Sequence, residues 1–497
     1  MTETHPSTAT PPSSSGWSPD SWRRKSVHQD VTYENPEHLK KVLDKLERLP
    51  PLVAPGEIEK LKGMLREVAE GKRFLLQGGD CAELFDYCSQ EPIQNKLKVL
   101  LQMSLILVWG GRTKVVRIAR MAGQYAKPRS KPVETIDGVE YTAFRGDNVN
   151  GMPLNEREPD PERLLGAYFH SAATVNYVRA LLASDFADLH HPESWNLQEG
   201  QWSLEHVRNP YTRSEYREMV NQLQDALDFM QTIGAEGDKQ ATRTVDMFMS
   251  HEGLLLEYEA RLTRECPVPR RVLDSAPPSP RPAKPSDASD AGSASGTQTK
   301  AFYNLGTHFL WIGDRTRQLT GAHVEYFKGI ENPIGVKIGP SMRPEEIAPL
   351  LDILNPRREV GKVTLITRYG AGKVREYLPK HIAAVAASGH KVVWCCDPMH
   401  GNTETTASGL KTRRFDHIVR ELSEAFEIHQ ECGSYLGGVH CELTGDPVTE
   451  TIGGSMNLVE EDLSTNYQTF CDPRLNYNQS LDIAFLIAKF FKKQHSQ

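Results

Sequence analysis

Eight short apolar segments, each ending in glycine or a polar turn, constrain the fold of this 497-residue chain most strongly. Most are separated by stretches that are compatible with helices, which indicates repeated strand–helix units and a parallel sheet. Eight such units predict a closed (β/α)8 TIM barrel. The segments are FLLQGGDC (74–81), KVVRIARMAG (114–123), TVDMFMSHEG (244–253), HFLWIGDRT (308–316), PIGVKIGP (333–340), VTLITRYG (363–370), VVWCCDPMHG (392–401) and GGVHCELTG (437–445).

The remaining sequence predicts how the chain is organised around this barrel. Residues 1–16 are expected to form a disordered tail and residues 17–70 an N-terminal extension, so that residues 71–497 contain the barrel. A long helical stretch at about 155–242, after the second strand, predicts inserted helices. Residues 275–299 are rich in Pro, Ser, Ala and Gly and are predicted to be a disordered surface insertion.

The first helix of the extension has clear boundary signals in NPEHLKKVLDKLERLP. Asn35 is suited to cap the helix, Pro36 suits its first turn, and Pro50 stops it. The apolar residues between them recur on one face. We therefore expect an amphipathic helix here.

Composition excludes several classes of protein. The formal net charge of -7 and the pI near 6.2 argue against nucleic acid or an anionic membrane as the main partner. Eight irregularly spaced cysteines are too few for a disulfide scaffold, which favours a reducing compartment. The N-terminus has no apolar signal core, and no run approaches the ~18 apolar residues that would span a bilayer. We expect a cytoplasmic protein that is not bound to a membrane.

Ionisable or metal-binding side chains stand at the end of every predicted strand. Taken singly, each is explained as a solvated strand end. Taken together, three arginines and a lysine directed at one barrel mouth would repel one another unless anions bind there, so a polyanionic substrate is predicted. The strand-end residues are Cys81, Arg120, Glu252, Arg315, Lys337, Arg368, His400 and Glu442.

Three of these residues, with Asp472 of TFCDPRL, could ligate one divalent cation. Cys81, His400, Glu442 and Asp472 offer sulfur, imidazole and carboxylate donors, a mixture compatible with manganese, zinc, cobalt or iron. Without the barrel argument, a hydrogen-bonded histidine in a turn and an inert buried thiol remain open alternatives.

The stretch GQYAKPRS after the second strand places Lys127, Arg129 and Ser130 close together. Two cations with hydroxyl and backbone donors could hold a second phosphate. A solvated basic loop is the alternative. Arg145 and Asp147 in the turn-rich FRGDNVNG could support this loop, or belong to a purely structural turn.

Eight segments of the chain resemble the signature motifs of the type II 3-deoxy-D-arabino-heptulosonate 7-phosphate (DAHP) synthases. The resemblance runs from about Trp22 to about Lys492 and is interrupted mainly by residues 275–299. The segments, in chain order, are LLQGGDCAE, RMAGQYAKPRS, RGDNVNG, WIGDRTRQ, GVKIGP, CDPMHGNT, GGVHCELTG and CDPRLNYNQSL.

The resemblance implies a TIM barrel enzyme, a transferase that condenses phosphoenolpyruvate with D-erythrose 4-phosphate and releases phosphate. This reaction opens the shikimate pathway to chorismate and the aromatic amino acids. It also implies one divalent metal ion per subunit, most simply Mn²⁺, with Co²⁺, Zn²⁺ or Fe²⁺ as alternatives. By motif, the metal ligands are Cys81, His400, Glu442 and Asp472; the phosphoenolpyruvate site is Arg120, Asp314, Arg315, Lys337 and Arg368; the erythrose 4-phosphate site is Lys127, Arg129 and Ser130.

Within this assignment, Lys337 is the candidate for proton transfer, because cationic neighbours would lower its pKa. Glu252 is the candidate that positions the attacking water. At Asp314 the family often has glutamate, which matters only if the side chain is used.

Alternative functions are a related keto-acid phosphate synthase or metal aldolase that uses another aldose phosphate, and a catalytically silent regulatory homologue. The family also implies feedback inhibition by aromatic amino acids and a homo-oligomer, a dimer or a tetramer.

The adjacent cysteines of VVWCCDPMHG are not expected to form a disulfide, because Cys395 and Cys396 point to opposite faces of a strand. Cys471 adjoins the proposed ligand Asp472. We therefore predict that metal-free enzyme can form a Cys81–Cys471 disulfide on oxidation, and mass spectrometry of oxidised protein with both thiols free would contradict this.

Overall fold

The computed structural model describes residues 16–129, 131–136, 138–184, 186, 204, 207–232, 245–269 and 299–495. The strands in these ranges are β1 (Arg73–Gly79), β2 (Lys114–Arg120), β3 (Val133–Ile136), β4 (Val139–Thr142), β5 (Phe248–Glu252), β6 (Thr263–Pro267), β7 (Lys300–Asn304), β8 (Phe309–Ile312), β9 (Ile334–Ile338), β10 (Val363–Thr367), β11 (Val393–Cys396), β12 (Thr403–Thr405), β13 (Lys411–Arg413) and β14 (Gly438–Glu442).

Eight of these strands form a closed barrel in the order β1-β14-β11-β10-β9-β8-β5-β2. Their pairings are all parallel, and each strand lies beside the barrel strand that precedes it in the chain. The eight barrel strands coincide with the eight apolar segments of the sequence. The predicted (β/α)8 fold is therefore confirmed.

Helices connect the barrel strands and precede the barrel. Within the described ranges, the α-helices are α1 (Pro36–Leu46), α2 (Pro55–Ala69), α3 (Gln90–Gly110), α4 (Glu162–Ala183), α5 (Pro210–Thr232), α6 (Leu256–Leu262), α7 (Ala322–Phe327), α8 (Pro344–Leu354), α9 (Val374–Ser388), α10 (Phe415–Glu431) and α11 (Tyr477–His495). None of the helices in these ranges is both long and apolar enough to cross a membrane.

The N-terminal boundary signals of α1 act as the sequence indicated, and the helix ends at Leu46, before Pro50. The side chain of Asn35 accepts a hydrogen bond from the backbone N–H of His38, and the helix begins at Pro36. Val42 and Leu46 of this helix are fully buried. The cap satisfies one of the N–H groups that a helix start leaves without a partner.

Apolar side chains fill the barrel interior up to the layer of polar groups at its carboxyl end. Leu75, Phe309 and Ile366 belong to one buried cluster, and Leu61 and Leu65 of α2 pack into the same cluster. Helix α2 therefore covers the amino end of the barrel. Access for ligands remains at the opposite end, where the strands finish.

The predicted helical insertion after the second strand is present. Helices α4 and α5 stand between β2 and β5 in the chain, which confirms extra helices after the second strand. The strands β6 and β7 pair antiparallel on either side of the predicted 275–299 insertion. That insertion, apart from Thr299, and residues 1–15 of the predicted tail lie outside the described residues.

Candidate active site and metal centre

The carboxyl ends of the barrel strands surround a cavity of about 230 Å³. At this end, side chains from different strands converge on one mouth. A larger cavity of about 320 Å³ beside α10 and α11 is lined by none of the predicted site residues. The predicted residues that line the smaller cavity are Cys81, Arg120, Lys127, Glu252, Asp314, Arg315, Lys337, Arg368, His400, Glu442 and Asp472.

The four predicted metal ligands come together in this cavity. One donor atom from each of Cys81, Glu442 and Asp472 lies within 4.8 Å of the other two. His400 Nε2 is 2.9 Å from Glu442 Oε1. A thiol, an imidazole and two carboxylates suit a divalent transition metal, so this donor set fits the kind of ion that the sequence indicated.

Strand pairing explains why ligands so distant in the chain meet. Cys81 follows β1 and Glu442 ends β14, and these two strands are neighbours in the barrel. His400 follows β11, which is the other neighbour of β14. Asp472 reaches the same place because the segment after it pairs with the segment that follows β14.

Asp397 fixes the orientation of the His400 ring. Its carboxylate has no exposed surface and lies 2.8 Å from His400 Nδ1 and 2.5 Å from Lys337 Nζ. Burial alone would raise the pKa of Asp397, but His400 and Lys337 hold it well below its usual value. The Nδ1 contact leaves Nε2 as the atom through which His400 can bind a metal ion.

Positive neighbours keep the carboxylates of the two predicted acidic ligands, Glu442 and Asp472, ionised. The pKa of Glu442 lies well below its usual value, because the effect of burial is outweighed by cationic groups led by His400. The pKa of Asp472 is lowered in the same way, chiefly by Lys127. The Lys127 ammonium lies 2.7 Å from Asp472 Oδ2 and 2.8 Å from Cys81 Sγ.

The predicted anion-binding cations line the same cavity and lie next to the predicted metal ligands. Arg120 is buried, and its guanidinium lies 2.6 Å from His440 Nε2. Lys337 Nζ lies 3.3 Å from the same His440 nitrogen. The pKa of Lys337 is lowered chiefly by burial, and the positive charge of Arg120 lowers it further. Arg368 is partly exposed and Arg315 is exposed, so these two stand at the rim.

Two carboxylates, Asp314 and Glu252, lie among these cations and differ in their hydrogen bonding. Asp314 Oδ2 accepts a hydrogen bond from Arg368 Nη1 at 3.0 Å. The side chain at position 314 is therefore used, and it orients Arg368. In the described part of the structure, Glu252 Oε1 is buried without a hydrogen-bond partner. Burial raises the pKa of Glu252, and this favours its holding a proton.

The KPRS segment is only partly assembled with the cavity. Lys127 lines it, whereas Arg129 does not and is paired with Glu134 at 2.9 Å. Ser130 lies outside the described residues. The carbonyl of Arg145 accepts a hydrogen bond from the Lys127 N–H, so the following turn supports this loop through its backbone.

Four residues of the site were not singled out from the sequence: Asp397, His440, Lys411 and Arg413. Asp397 directly follows β11 and stands three residues before His400, a spacing that could have identified it. His440 stands two residues before Glu442, so both face the same side of β14. Lys411 and Arg413 lie on a hairpin whose position over the site no local pattern indicates.

Among the cysteines, Cys395 belongs to the barrel interior cluster and Cys396 to the cluster outside the strands, as their alternation predicted. All eight cysteines of the chain are free thiols. The Cys81 and Cys471 thiols are close enough to form a hydrogen bond. The predicted disulfide between them stays a prediction.

A barrel mouth that joins a sulfur, nitrogen and oxygen donor set to several anion-binding cations defines a metal-dependent enzyme of phosphorylated substrates. Comparison with known proteins narrows this class. Residues 17–488 match the model of the Class-II DAHP synthetase family. The match covers nearly the whole chain, and the chain therefore belongs to this family.

Three relatives named phospho-2-dehydro-3-deoxyheptonate aldolase align over nearly their full lengths. The protein of Neurospora crassa is 54% identical and covers 98% of this chain and 97% of its own. The protein of Streptomyces coelicolor is 44% identical, and the alignment covers 96% of this chain and 97% of the relative. That of Mycolicibacterium smegmatis, named AroG, is 42% identical, with 95% and 94% covered.

A solved structure of the Francisella tularensis SCHU S4 enzyme of the same name aligns with 93% of this chain and 97% of its own, at 12% identity and a TM-score of 0.42. The barrel fold is established by the closed strand order β1-β14-β11-β10-β9-β8-β5-β2.

The activity is that of the family. The chain is a transferase that condenses phosphoenolpyruvate with erythrose 4-phosphate to give DAHP and phosphate, the first step of the shikimate pathway. The family is metal-dependent.

Proposed function

We propose that Cys81, His400, Glu442 and Asp472 bind the catalytic metal ion of this DAHP synthase. The observation that supports this most strongly is the convergence of four donor groups from four separate segments beside a cluster of cations. We propose Mn²⁺ as the ion, with Co²⁺, Zn²⁺ or Fe²⁺ as alternatives, because one thiolate among oxygen and nitrogen donors does not select strictly.

Phosphoenolpyruvate is proposed to bind Arg120, Arg315, Lys337 and Arg368. The planar guanidinium groups match the oxygens of a phosphate or a carboxylate, and the substrate carries both. Asp314 contributes by holding Arg368 at 3.0 Å. The mixture of buried Arg120 and exposed Arg315 suits a substrate with one end deep in the cavity and the other at its rim.

Erythrose 4-phosphate is proposed to bind through Lys127, Arg129 and Ser130. Lys127 supports this because its ammonium lines the cavity beside the proposed metal ligands. Arg129 would have to exchange its contact with Glu134 for the phosphate, which is the stronger anion.

Each group of residues then has a separate proposed role in the reaction. The cations hold two mutually repelling anions in one orientation, which makes a bimolecular step effectively intramolecular. A bound metal ion would supply Lewis acidity to the aldehyde oxygen. Lys337 can release its proton at a lower pH than an exposed lysine can, because burial lowers its pKa, and this suits it to proton transfer. Glu252 is proposed to position the water that adds to C2, through the buried oxygen that has no protein partner in the described structure.

The Cys81→Ser variant tests the ligand assignment. We expect metal retention and DAHP formation to fall by more than the roughly 10–100-fold loss that follows removal of a residue supporting a ligand. The fold should remain intact by circular dichroism. Chelator-treated protein is assayed with each metal added back, and Cys432→Ser serves as the control because Cys432 is exposed. Full activity of the metal-reconstituted Cys81→Ser enzyme would contradict the assignment.

We further propose a cytoplasmic homo-oligomer, a dimer or a tetramer, inhibited by aromatic amino acids. The N-terminal extension (17–70) and the inserted helices of about 155–242 are the proposed sites of effector and subunit contacts, with the barrel domain at 71–497. Adding Trp, Phe and Tyr singly and together to the assay, with light scattering to give the mass, tests both points.

A further inference from the structure

Arg413 extends its buried guanidinium to three different segments of the chain. Its Nη2 donates to Glu442 Oε2 at 2.7 Å, and its Nε donates to Thr403 Oγ1 at 3.1 Å. Its Nη1 donates to the backbone carbonyl of Pro473. The side chains of Arg413 and Glu442 have no exposed surface, so solvent does not weaken this ion pair.

Each of these segments carries one proposed metal ligand. Glu442 is itself a ligand, Pro473 directly follows Asp472, and Thr403 stands three residues after His400. One planar group with five donors thus ties together the parts of the chain from which three of the four ligands project. An ammonium group, which has no fork of fixed geometry, cannot reproduce the three directions at once.

The contact with Arg413 also means that the two carboxylate oxygens of Glu442 have different partners. Arg413 holds Oε2, whereas Oε1 faces His400 Nε2 at 2.9 Å and Arg120 at 3.2 Å. A carboxylate fixed through one oxygen presents the other in a defined direction. Substitution of a residue that orients a metal ligand in this way commonly weakens metal binding, although the residue does not touch the metal.

We propose that Arg413 is a positioning residue of the metal centre, which holds the segments bearing Glu442, His400 and Asp472 in the arrangement that binds the ion. The inference rests on the ligand assignment proposed above. Arg413 acts through these ligands and does not contact the substrates.

Direct titration of the chelator-stripped, full-length protein with Mn²⁺ tests the inference without relying on activity. For Arg413→Gln we expect a dissociation constant roughly 10–100-fold higher than that of the unchanged protein. Arg413→Lys should bind with intermediate affinity, and Thr403→Val, which loses one of the three contacts, should be weakened less. Arg414→Gln is the matched control, because the neighbouring Arg414 is exposed and pairs with Glu404.

A spectroscopic measurement separates positioning from general stability. In Co²⁺-loaded protein, the thiolate-to-metal charge-transfer absorption reports the geometry around the ion. At saturating Co²⁺, this absorption should change in Arg413→Gln and remain unchanged in Arg414→Gln. A folded Arg413→Gln protein with the original Mn²⁺ affinity and absorption would overturn the inference.

Two further variants keep the outcomes distinct. If Glu442→Gln and Cys81→Ser bind Mn²⁺ as the unchanged protein does, the ligand assignment itself fails. If they lose Mn²⁺ while Arg413→Gln does not, only the role of Arg413 fails. Should Arg413→Gln not fold, Arg413→Lys decides: an unchanged dissociation constant overturns the inference, and a raised one supports it.

Discussion

At the scale of single residues, Asp397 contacts both His400, a proposed metal ligand, and Lys337, the proposed proton-transfer residue. Its buried carboxylate accepts hydrogen bonds from Lys337 Nζ and from His400 Nδ1. A carboxylate behind a ligating histidine fixes the ring and its tautomer. The same carboxylate opposes the effect of burial on Lys337, because its charge raises the pKa of that ammonium.

The Asp397→Asn variant should therefore show two changes. The Mn²⁺ dissociation constant should rise roughly 10–100-fold, because the His400 ring is no longer held by an anion. The pKa of Lys337 should fall, so that the ammonium loses its proton at lower pH and any activity that needs the proton declines earlier as pH rises. Metal titration and the pH dependence of kcat measure these effects.

The control for this variant is Asp352→Asn. Asp352 also pairs with a histidine, His390 at 2.8 Å, but its side chain is largely exposed and lies away from the cavity. Neither metal affinity nor the pH profile should change there. Unchanged metal binding in Asp397→Asn would show that Asp397 does not orient His400.

At the scale of elements, helix α10 holds the loops after β10 and β11 together through Glu421. This side chain is fully buried and accepts hydrogen bonds from the backbone N–H groups of Tyr369 and Gly370, and from the Asn402 amide. These loops carry Arg368 and His400. Burial raises the pKa of Glu421 from 4.5 to about 7, although the hydrogen bonds oppose the shift.

This pKa gives the protein a pH dependence of stability with a defined sign. Between pH 4.5 and 7 the folded state binds more protons at Glu421 than the unfolded state does, so its contribution to the free energy of unfolding decreases as pH rises through this window. The decrease is on the order of 3 kcal/mol once the group ionises in both states. In Glu421→Gln, chemical denaturation at pH 5 and pH 8 should reveal a smaller difference between the two pH values.

Glu431→Gln, at the exposed end of the same helix, is the control, and its pH difference should match that of the unchanged protein. The comparison uses differences between pH values, so a constant loss of stability in Glu421→Gln does not affect it. An identical pH difference in all three proteins would remove Glu421 as the cause.

At the scale of the whole molecule, a buried ion network joins the N-terminal helix α2 to the amino end of the barrel. Lys62 lies 3.0 Å from Glu59, 3.2 Å from Glu359 and 3.5 Å from Glu331. The last two residues precede β10 and β9, at the end of the barrel opposite the cavity. The network therefore concerns stability and not the reaction.

The Lys62→Met variant should lose about 3–5 kcal/mol of unfolding free energy, because it removes the cation beside the buried Glu59 carboxylate, whereas Glu331 and Glu359 keep Arg357. The KM values and kcat of the folded protein should change little. Lys60→Met is the control on the same helix, since Lys60 is largely exposed and its pair with Asp246 contributes at most about 1 kcal/mol. Equal losses in the two variants would contradict a special role of the buried network.

The sequence alone determined the barrel, its strand positions and most of the residues around its mouth. Local causes suffice for these features: apolar segments that end in turns predict strands, and parallel strands place their ends at one mouth. The Asn35 cap is equally local. The donor atoms of Cys81, His400, Glu442 and Asp472 made these residues candidate metal ligands, the resemblance to the family implied the same set, and their convergence in the cavity supports it.

Only the tertiary structure decided which groups touch. The three contacts of Arg413, the shared Asp397 carboxylate and the pairing of Asp314 with Arg368 join segments whose separation in the chain follows no short period. Such contacts depend on strand register and loop packing, and these are fixed by the closed barrel as a whole. The burial of a side chain also depends on the closed barrel as a whole. Burial is the main cause of the shifted pKa values of Lys337, Glu252 and Glu421.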